Sequence, residues 1–216
     1  EVKNNISDKI IKELQHKIFV KDKLILNVGS GDNMGCGQKL WNNISTREYK
    51  IINLDIEAGP NVDLIGDAHN LNFEDNYFDV IISQATLEHL HTPIKAINEF
   101  YRTLKPGGIL YIEVPFLQGF HADPHDYQRY TLQGLKILLA DFKEFKSGVS
   151  VGPFCSLVWL IRDGFSSCFK NRFLYLTSRF ILGWTLSPIR YLDYLIRYND
   201  VSIRLANEYY YCCIKE

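Results

Sequence analysis

The sequence predicts a single doubly wound α/β domain, because short apolar runs alternate with segments of helical periodicity along its 216 residues. The first such run, 24–28, ends in the turn residues Gly29 and Gly31. The same design recurs at 51–56, 62–67, 78–83 and 108–116. Buried parallel strands have this pattern, and strands that alternate with helices form a mostly parallel sheet covered on both faces.

Helices are expected between these strands. Residues 92–104 carry an apolar stripe at helical spacing behind Pro93, and the glycines 107–108 end it. A first helix is expected over 7–16, behind a Ser/Asp cap signal. Two further strands are predicted at 142–150 and 207–214, with a helical insertion at 153–204 between them. The whole chain, 1–216, is therefore interpreted as one domain with a core at 20–150.

Composition excludes several classes of protein. The formal net charge of −1 provides no field for nucleic acid, and no apolar run reaches membrane-spanning length. The five cysteines form no CxxC pair, which favours reduced thiols and a cytoplasmic location.

The glycine turn after the first strand is typical of a ligand-binding loop. The dinucleotide fingerprint requires a further glycine where Met34 stands, so a nicotinamide cofactor is disfavoured. Asp55 ends the second strand, 24 residues beyond Gly31, where a carboxylate can accept hydrogen bonds from ribose hydroxyls. Asp67 and Ala68 end the third strand. Three strand ends thus indicate an adenosine-like ligand.

These motifs resemble a known family. The segments NVGSGDN, NLDI, GDAHNLNFEDNYFDVIISQATLEHL and INEFYRTLKPGGILYIEVPF are similar, in order and spacing, to the class I S-adenosylmethionine-dependent methyltransferases of the small-molecule type. The resemblance covers 24–116. A further segment, HADPHDYQRYTLQGL, resembles a bacterial subgroup associated with glycan and cell-surface pathways.

The resemblance implies a Rossmann-like seven-stranded sheet, the cofactor S-adenosyl-L-methionine, and methyl transfer to a small-molecule or glycan acceptor, with a hydroxyl oxygen as the expected target. Asn27 stands where the family commonly has an acidic residue. A non-catalytic cofactor-binding scaffold and a nucleotide-sugar oxidoreductase remain the alternatives. Carried over by position, the expected cofactor-binding residues are Asn27, Gly29, Ser30, Gly31, Asp55, Ile56, Asp67, Ala68 and Gln84.

The loop after the fifth strand is the expected acceptor site, because it concentrates polar side chains at a strand end. We expect His125 to be the general base, with His121 as second choice, since imidazole titrates near neutrality. Asp126 would orient the imidazole or a sugar hydroxyl, and Arg129 would bind a phosphate or carboxylate. No metal is expected, although His121 and His125 with nearby aspartates leave a metal site or a structural loop as alternatives.

Two other features have open interpretations. Glu88 and His89 are expected to have a structural role within the domain. The insertion is rich in aromatic residues and has seven basic against three acidic residues between 153 and 204. Its helices are expected to cover the sheet or a second copy in a homodimer, or to form a lid or a face for peripheral membrane contact.

Overall fold

A computed structural model describes residues 22–31, 49–121, 125–196 and 203–216. These residues form one seven-stranded sheet in the order β3-β2-β1-β4-β5-β7-β6. The first five strands run parallel, whereas β7 is antiparallel to both β5 and β6. The strands are β1 (Lys23–Val28), β2 (Tyr49–Asp55), β3 (Leu64–Ile65), β4 (Phe78–Gln84), β5 (Leu104–Pro115), β6 (Lys143–Val151) and β7 (Glu208–Ile214).

The predicted architecture is confirmed, with differences at the element bounds. The third predicted strand, 62–67, reduces to two paired residues, because β3 is an outer strand whose Leu64 and Ile65 are both exposed. The fifth strand begins at Leu104 instead of 108, directly after the helix before it. The predicted first helix, 7–16, lies outside the described residues.

Four α-helices are described: α1 (Pro93–Thr103), α2 (Leu132–Leu138), α3 (Pro153–Ser166) and α4 (Arg172–Thr185). Two 3₁₀ helices occupy Leu87–His89 and Ser187–Leu195. In α1, Pro93 occupies the first turn, where its missing N–H costs nothing. Ala96, Ile97 and Phe100 form its buried stripe. This stripe packs α1 into the same hydrophobic core as the buried residues of β4 and β5.

The core lies along the central strands. β1 and β4 are buried almost throughout, as the unbroken apolar runs predict for strands with neighbours on both sides. All five parallel strands end at one edge of the sheet. At this same edge β7 begins and β6 ends, since Glu208 pairs with Pro115 and with Val151. Every loop expected to carry function therefore emerges from this carboxyl edge.

The described residues between β6 and β7 are largely helical, and this segment starts at the carboxyl edge. Asp193, in the second 3₁₀ helix, is fully buried, and its carboxylate accepts hydrogen bonds from Phe154 N at 2.9 Å and Cys155 N at 3.3 Å. This side chain ties the 3₁₀ helix to the start of α3 and stabilises the amino end of that helix. No residue of α4 is buried. Within the described ranges, no helix is long and apolar enough to span a membrane.

Candidate active site

The glycine turn after β1 has the geometry of a ligand-binding loop. Gly29 and Gly31 have φ of 72° and 58°, which L side chains rarely adopt. A methyl group at Gly29 would lie 2.1 Å from Thr86 Oγ1, whereas one at Gly31 would meet nothing within 4 Å. Gly29 is thus required both by backbone conformation and by the close approach of the loop after β4. Ser30 between them is fully buried, and its hydroxyl has no hydrogen-bond partner among the described residues.

Asp55 holds this turn in place from the end of β2. Its carboxylate accepts hydrogen bonds from Gly31 N at 2.7 Å and Glu57 N at 3.1 Å. Each carboxylate oxygen has a second lone pair, so both can still accept from a ligand. The neighbouring Ile56 is 64% exposed, which leaves an apolar face beside the carboxylate. The structure therefore brings the predicted residues of the first two strand ends together.

Asp67 and Ala68 follow β3 at the same edge. Asp67 is exposed and accepts from both His69 N at 2.8 Å and His69 Nδ1 at 2.7 Å. Partial burial raises the pKa of Asp67, but the hydrogen bonds and charge of His69 outweigh it and leave the pKa below its usual value. Ala68 is buried. Asp67 is therefore an ionised acceptor at the outer end of the site.

Asn27 and Gln84 are turned toward the protein interior. Asn27 is buried and donates from Nδ2 to Asn53 Oδ1 at 3.0 Å. Gln84 is buried and donates from Nε2 to Glu113 Oε2 at 2.6 Å. Both amides thus have protein partners, and their position is that of a supporting layer beneath the turns after β1 and β4.

The loop after β5 is fastened onto the 3₁₀ turn Leu87–His89. Tyr127 N donates to Glu88 O at 2.8 Å, and Gln128 Nε2 donates to Leu90 O at 3.0 Å. His89 Nδ1 contacts the carbonyl oxygen of His125. These contacts bring together residues separated by more than 30 positions in the chain. The two loops therefore form one unit at the carboxyl ends of β4 and β5.

Glu88 lies at the centre of this unit. Its side chain is fully buried, and neither carboxylate oxygen has a hydrogen-bond partner among the described residues. Its Oε1 lies 3.8 Å from His89 Nε2 and 3.9 Å from His121 Nε2. Burial raises the pKa of Glu88 to about 7, although the charges of His89 and Arg129 act in the opposite direction. A group with this pKa exchanges a proton at neutral pH.

Asp126 and Arg129 form the rigid side of the unit. The Arg129 guanidinium donates from its two terminal nitrogens to the two oxygens of the Asp126 carboxylate, with Nη2 to Oδ2 at 2.6 Å. Asp126 also accepts from His121 N at 2.8 Å. The hydrogen bond from Arg129 lowers the pKa of Asp126 to about 2. Arg129 further donates to Gly119 O at 3.0 Å. The pair therefore fixes the loop that carries His121, and Arg129 is engaged within the protein.

The remaining predicted residue, His125, is exposed. Its ring packs at 5.5 Å from the Tyr127 ring, and its carbonyl oxygen is the group that contacts His89. Trp159, from α3, lies beside His121, with ring centroids 6.3 Å apart. The insertion thus contributes a wall to the predicted acceptor site.

The structural role expected for Glu88 and His89 agrees with their contacts to the loop after β5. The sequence did not predict that their side chains approach His121, or that Trp159 lies next to it. The only available signal for Glu88 and His89 was their position directly after β4, at the functional edge of the predicted sheet. Nothing in the sequence around Trp159 distinguishes it from other aromatic residues of the insertion.

Comparison with known structures identifies the fold. Over 97% of its length the chain superimposes on a putative sarcosine dimethylglycine methyltransferase from Galdieria sulphuraria, with a TM-score of 0.60, 17% sequence identity and 85% of that chain covered. It also superimposes on the cyclase SpnF, with a TM-score of 0.60, 16% identity and 80% of that chain covered. The fold is therefore the Rossmann-like fold of methyltransferases, and at this identity the similarity shows the fold alone.

Sequence comparison adds a family match. Residues 33–112 match the family described as "Methyltransferase domain". A demethylmenaquinone methyltransferase from Staphylococcus epidermidis is 32% identical over 134 residues, which are 49% of this chain and 55% of that protein. The chain thus spans about half the length of this relative. These matches agree with the predicted methyltransferase class and support an S-adenosylmethionine-dependent enzyme.

Proposed function

We propose that the protein transfers a methyl group from S-adenosyl-L-methionine to a hydroxyl oxygen of a small molecule or glycan. The observation that carries this proposal is the turn Gly29–Gly31, with both glycines at positive φ and the Asp55 carboxylate on Gly31 N. This turn lies at the carboxyl edge of a sheet with the fold of methyltransferases, where open α/β sheets bind their ligands.

The residues present fit the cofactor. Glycines allow the backbone to approach a ligand closely. The buried hydroxyl of Ser30, which has no hydrogen-bond partner among the described residues, offers a further polar group at that turn. Asp55 would accept from ribose hydroxyls, Ile56 would contact the adenine, and Asp67 would lie at its edge. When bound, the cofactor supplies a methyl group on a positively charged sulfur. The protein's own task is then to align the acceptor and exclude water.

The acceptor would lie above the ends of β4 and β5. Glu88, His89 and His121 converge there, and they supply groups that can bind a hydroxyl and influence its proton. Trp159 forms an aromatic wall that suits a sugar ring or another flat ligand. The exposed position of His125 favours His121 over His125 as the imidazole next to the acceptor, the reverse of the order expected from sequence.

The test is transfer of a labelled methyl group to a panel of acceptors. Sugar nucleotides, simple catechols and a demethylmenaquinone analogue would be incubated with methyl-labelled cofactor, and products separated by mass. The proposal predicts label in an O-methyl ether, reduced at least about tenfold in His121→Ala and unchanged in His91→Ala. Label on carbon of the quinone would overturn the oxygen assignment. Cofactor binding without transfer to any acceptor would favour the scaffold alternative.

We further propose that α4 contacts an anionic lipid surface. Phe173, Phe180 and Trp184 are each more than 70% exposed on this helix, which contains no acidic residue. Arg172 and the preceding Lys170 are exposed beside them. Apolar and aromatic side chains together with basic residues suit the interface of an anionic bilayer. Such a contact would bring the acceptor site near lipid-linked substrates.

Vesicle co-sedimentation tests this contact. The wild type should pellet with vesicles containing phosphatidylglycerol and remain in the supernatant with phosphatidylcholine alone. Phe180→Ser with Trp184→Ser should abolish pelleting, while Ile137→Ser, an exposed apolar residue on α2, should not. Concentration-dependent dimerisation that is lost in the double variant, without vesicle binding, would assign the same face to a second copy of the chain.

A further inference from the structure

Three metal-binding side chains converge between the loops after β4 and β5. Glu88, His89 and His121 each offer one ligand atom, and these atoms lie within 4.8 Å of one another. Glu88 Oε1 lies 3.8 Å and 3.9 Å from the two imidazole Nε2 atoms. This set differs from the His121 and His125 pair that the sequence spacing offered, because His125 contributes only its carbonyl oxygen.

The hydrogen bonds around the cluster prepare both imidazoles to act as ligands. His89 Nδ1 contacts the carbonyl oxygen of His125, and His121 Nδ1 lies 3.1 Å from the carbonyl oxygen of Gly119. A carbonyl oxygen only accepts, so each Nδ1 carries the proton and each Nε2 presents a lone pair toward Glu88. Arg129 Nη2 lies 3.2 Å from His121 Nδ1, but its two protons are already directed to Asp126 and Gly119.

The buried carboxylate requires a partner. Glu88 is fully buried with both oxygens unpartnered among the described residues, and an isolated buried carboxylate is costly. A cation at the point between the three ligand atoms would compensate its charge. Metal-bound histidines commonly donate their other ring N–H to a carbonyl or carboxylate, which is the arrangement at His89 and His121.

We propose that Glu88, His89 and His121 bind one divalent transition-metal ion of the kind that imidazole favours, such as Zn²⁺. Bonds of roughly 2.0–2.2 Å in a tetrahedral site place ligand atoms about 3.3 Å apart. The two distances to Glu88 therefore need to shorten by about half an ångström. The two imidazole nitrogens, which lie within 4.8 Å of each other, need to approach by up to about 1.5 Å, which rotation of the partly exposed His121 ring can supply. Three protein ligands leave at least one position open, as in catalytic sites.

The open position defines the role of the ion, and this part rests on the proposed function. The cluster lies at the ends of β4 and β5, beside the turn that would hold the cofactor, with Trp159 as a wall. An acceptor hydroxyl bound to the ion would have a lowered pKa and would release its proton to water. The proposed substrate class is therefore an acceptor with a metal-binding oxygen, such as a vicinal diol or a catechol.

The experiment measures metal binding directly on the whole chain. Protein stripped with EDTA and exchanged into chelator-free buffer at pH 7.5 would be titrated with Zn²⁺ by calorimetry and with Co²⁺ by visible absorption. We expect one ion per chain and a Co²⁺ d–d spectrum. Glu88→Gln and His121→Ala should weaken binding by more than about 100-fold, since loss of an outer-shell partner alone costs 10–100-fold. His91→Ala, outside the cluster, should bind as the wild type does.

Two results would overturn the proposal: a wild type that binds no Zn²⁺ or Co²⁺, or binding that survives in both Glu88→Gln and His121→Ala. Circular dichroism melts would verify that the variants fold. Titration of S-adenosylmethionine into the same samples separates this proposal from the proposed function. Metal binding without cofactor binding would support the metal site and contradict the proposed methyltransferase function. Cofactor binding without metal binding would support the proposed function and contradict the metal site.

Discussion

Glu88→Gln is predicted to stabilise the protein most at alkaline pH, to have a much smaller effect at pH 5, and to leave its stability unchanged well below pH 4.5. The Glu88 side chain is fully buried without a partner among the described residues, and burial raises its pKa from 4.5 to about 7. Because the folded pKa lies above the unfolded one, stability is fully retained below about pH 4.5 and is lost as pH rises through about 7. Glutamine resembles the protonated acid and cannot ionise.

The magnitude follows from the pKa difference. Each unit corresponds to 1.36 kcal/mol, so the change from 4.5 to about 7 gives up to about 3 kcal/mol at pH 8. For a chain of this size, that raises the melting temperature by roughly 6–12 °C. Thermal unfolding with EDTA present, at pH 5 and pH 8, measures the difference.

Glu99→Gln provides the control of opposite sign. Its carboxylate binds Arg102 at 2.7 Å, and the hydrogen bond from that guanidinium holds the pKa of Glu99 below its usual value. Glu99→Gln should therefore destabilise the protein at pH 8. Equal effects of Glu88→Gln at pH 5 and pH 8 would refute the reasoning, because they would show that Glu88 has the same protonation state in the folded and unfolded chain.

Two further predictions concern the loops that form the site. Gly31→Ala should lower the free energy of unfolding by about 1–2 kcal/mol, because alanine disfavours the positive φ at this position. Gly29→Ala should lower it by a further 1–3 kcal/mol or prevent folding, because its methyl group would lie 2.1 Å from Thr86 Oγ1. Urea unfolding compares the two variants, and equal losses would contradict the close approach of Thr86 to Gly29. Arg129→Lys removes the paired hydrogen bonds that hold the pKa of Asp126 at about 2, so it should lower stability at pH 7 and make stability depend less on pH between about 4 and 2 than in the wild type. Urea unfolding at pH 7 and at pH 3 measures both effects, and an equal loss of stability at the two pH values would contradict the prediction.

The sheet could be predicted because most of its strands are unbroken apolar runs that are visible in the local sequence. The apolar runs that became β1, β4 and β5 are buried, as unbroken hydrophobic segments are when neighbours flank them. β3 was predicted too long, since Leu64 and Ile65 pair only at the outer edge of the sheet and remain exposed. A strand that is buried on both faces has a continuous apolar sequence, whereas an exposed edge strand such as β3 does not need one.

The site could be predicted only in part. Asp55 and the glycine turn were accessible because each directly follows a strand, and the topology brings those strand ends together. The position of Glu88 in the site could not be predicted, because it depends on a distant loop that contacts Glu88 through the backbone hydrogen bond from Tyr127 N. The prediction for His125 met the same difficulty. Its side chain suggested an imidazole in the site, but its backbone carbonyl oxygen is the group in contact with His89. Side-chain type reveals chemistry, whereas long-range contacts decide which groups meet.

The most direct test of the account is calorimetric titration of S-adenosylmethionine and S-adenosylhomocysteine, with NAD as a control ligand. The wild type should bind both sulfur ligands and not NAD. Asp55→Ala should weaken binding roughly 10- to 100-fold, the value of a hydrogen bond to a charged group. Asp55→Asn, which keeps an acceptor for Gly31 N, should weaken binding less. Asp75→Ala, which removes a carboxylate that binds Arg102 in the wild type, should leave the affinity unchanged. A folded wild type that binds neither sulfur ligand, or an Asp55→Ala variant that binds them unchanged, would contradict the assignment of this edge of the sheet to the cofactor.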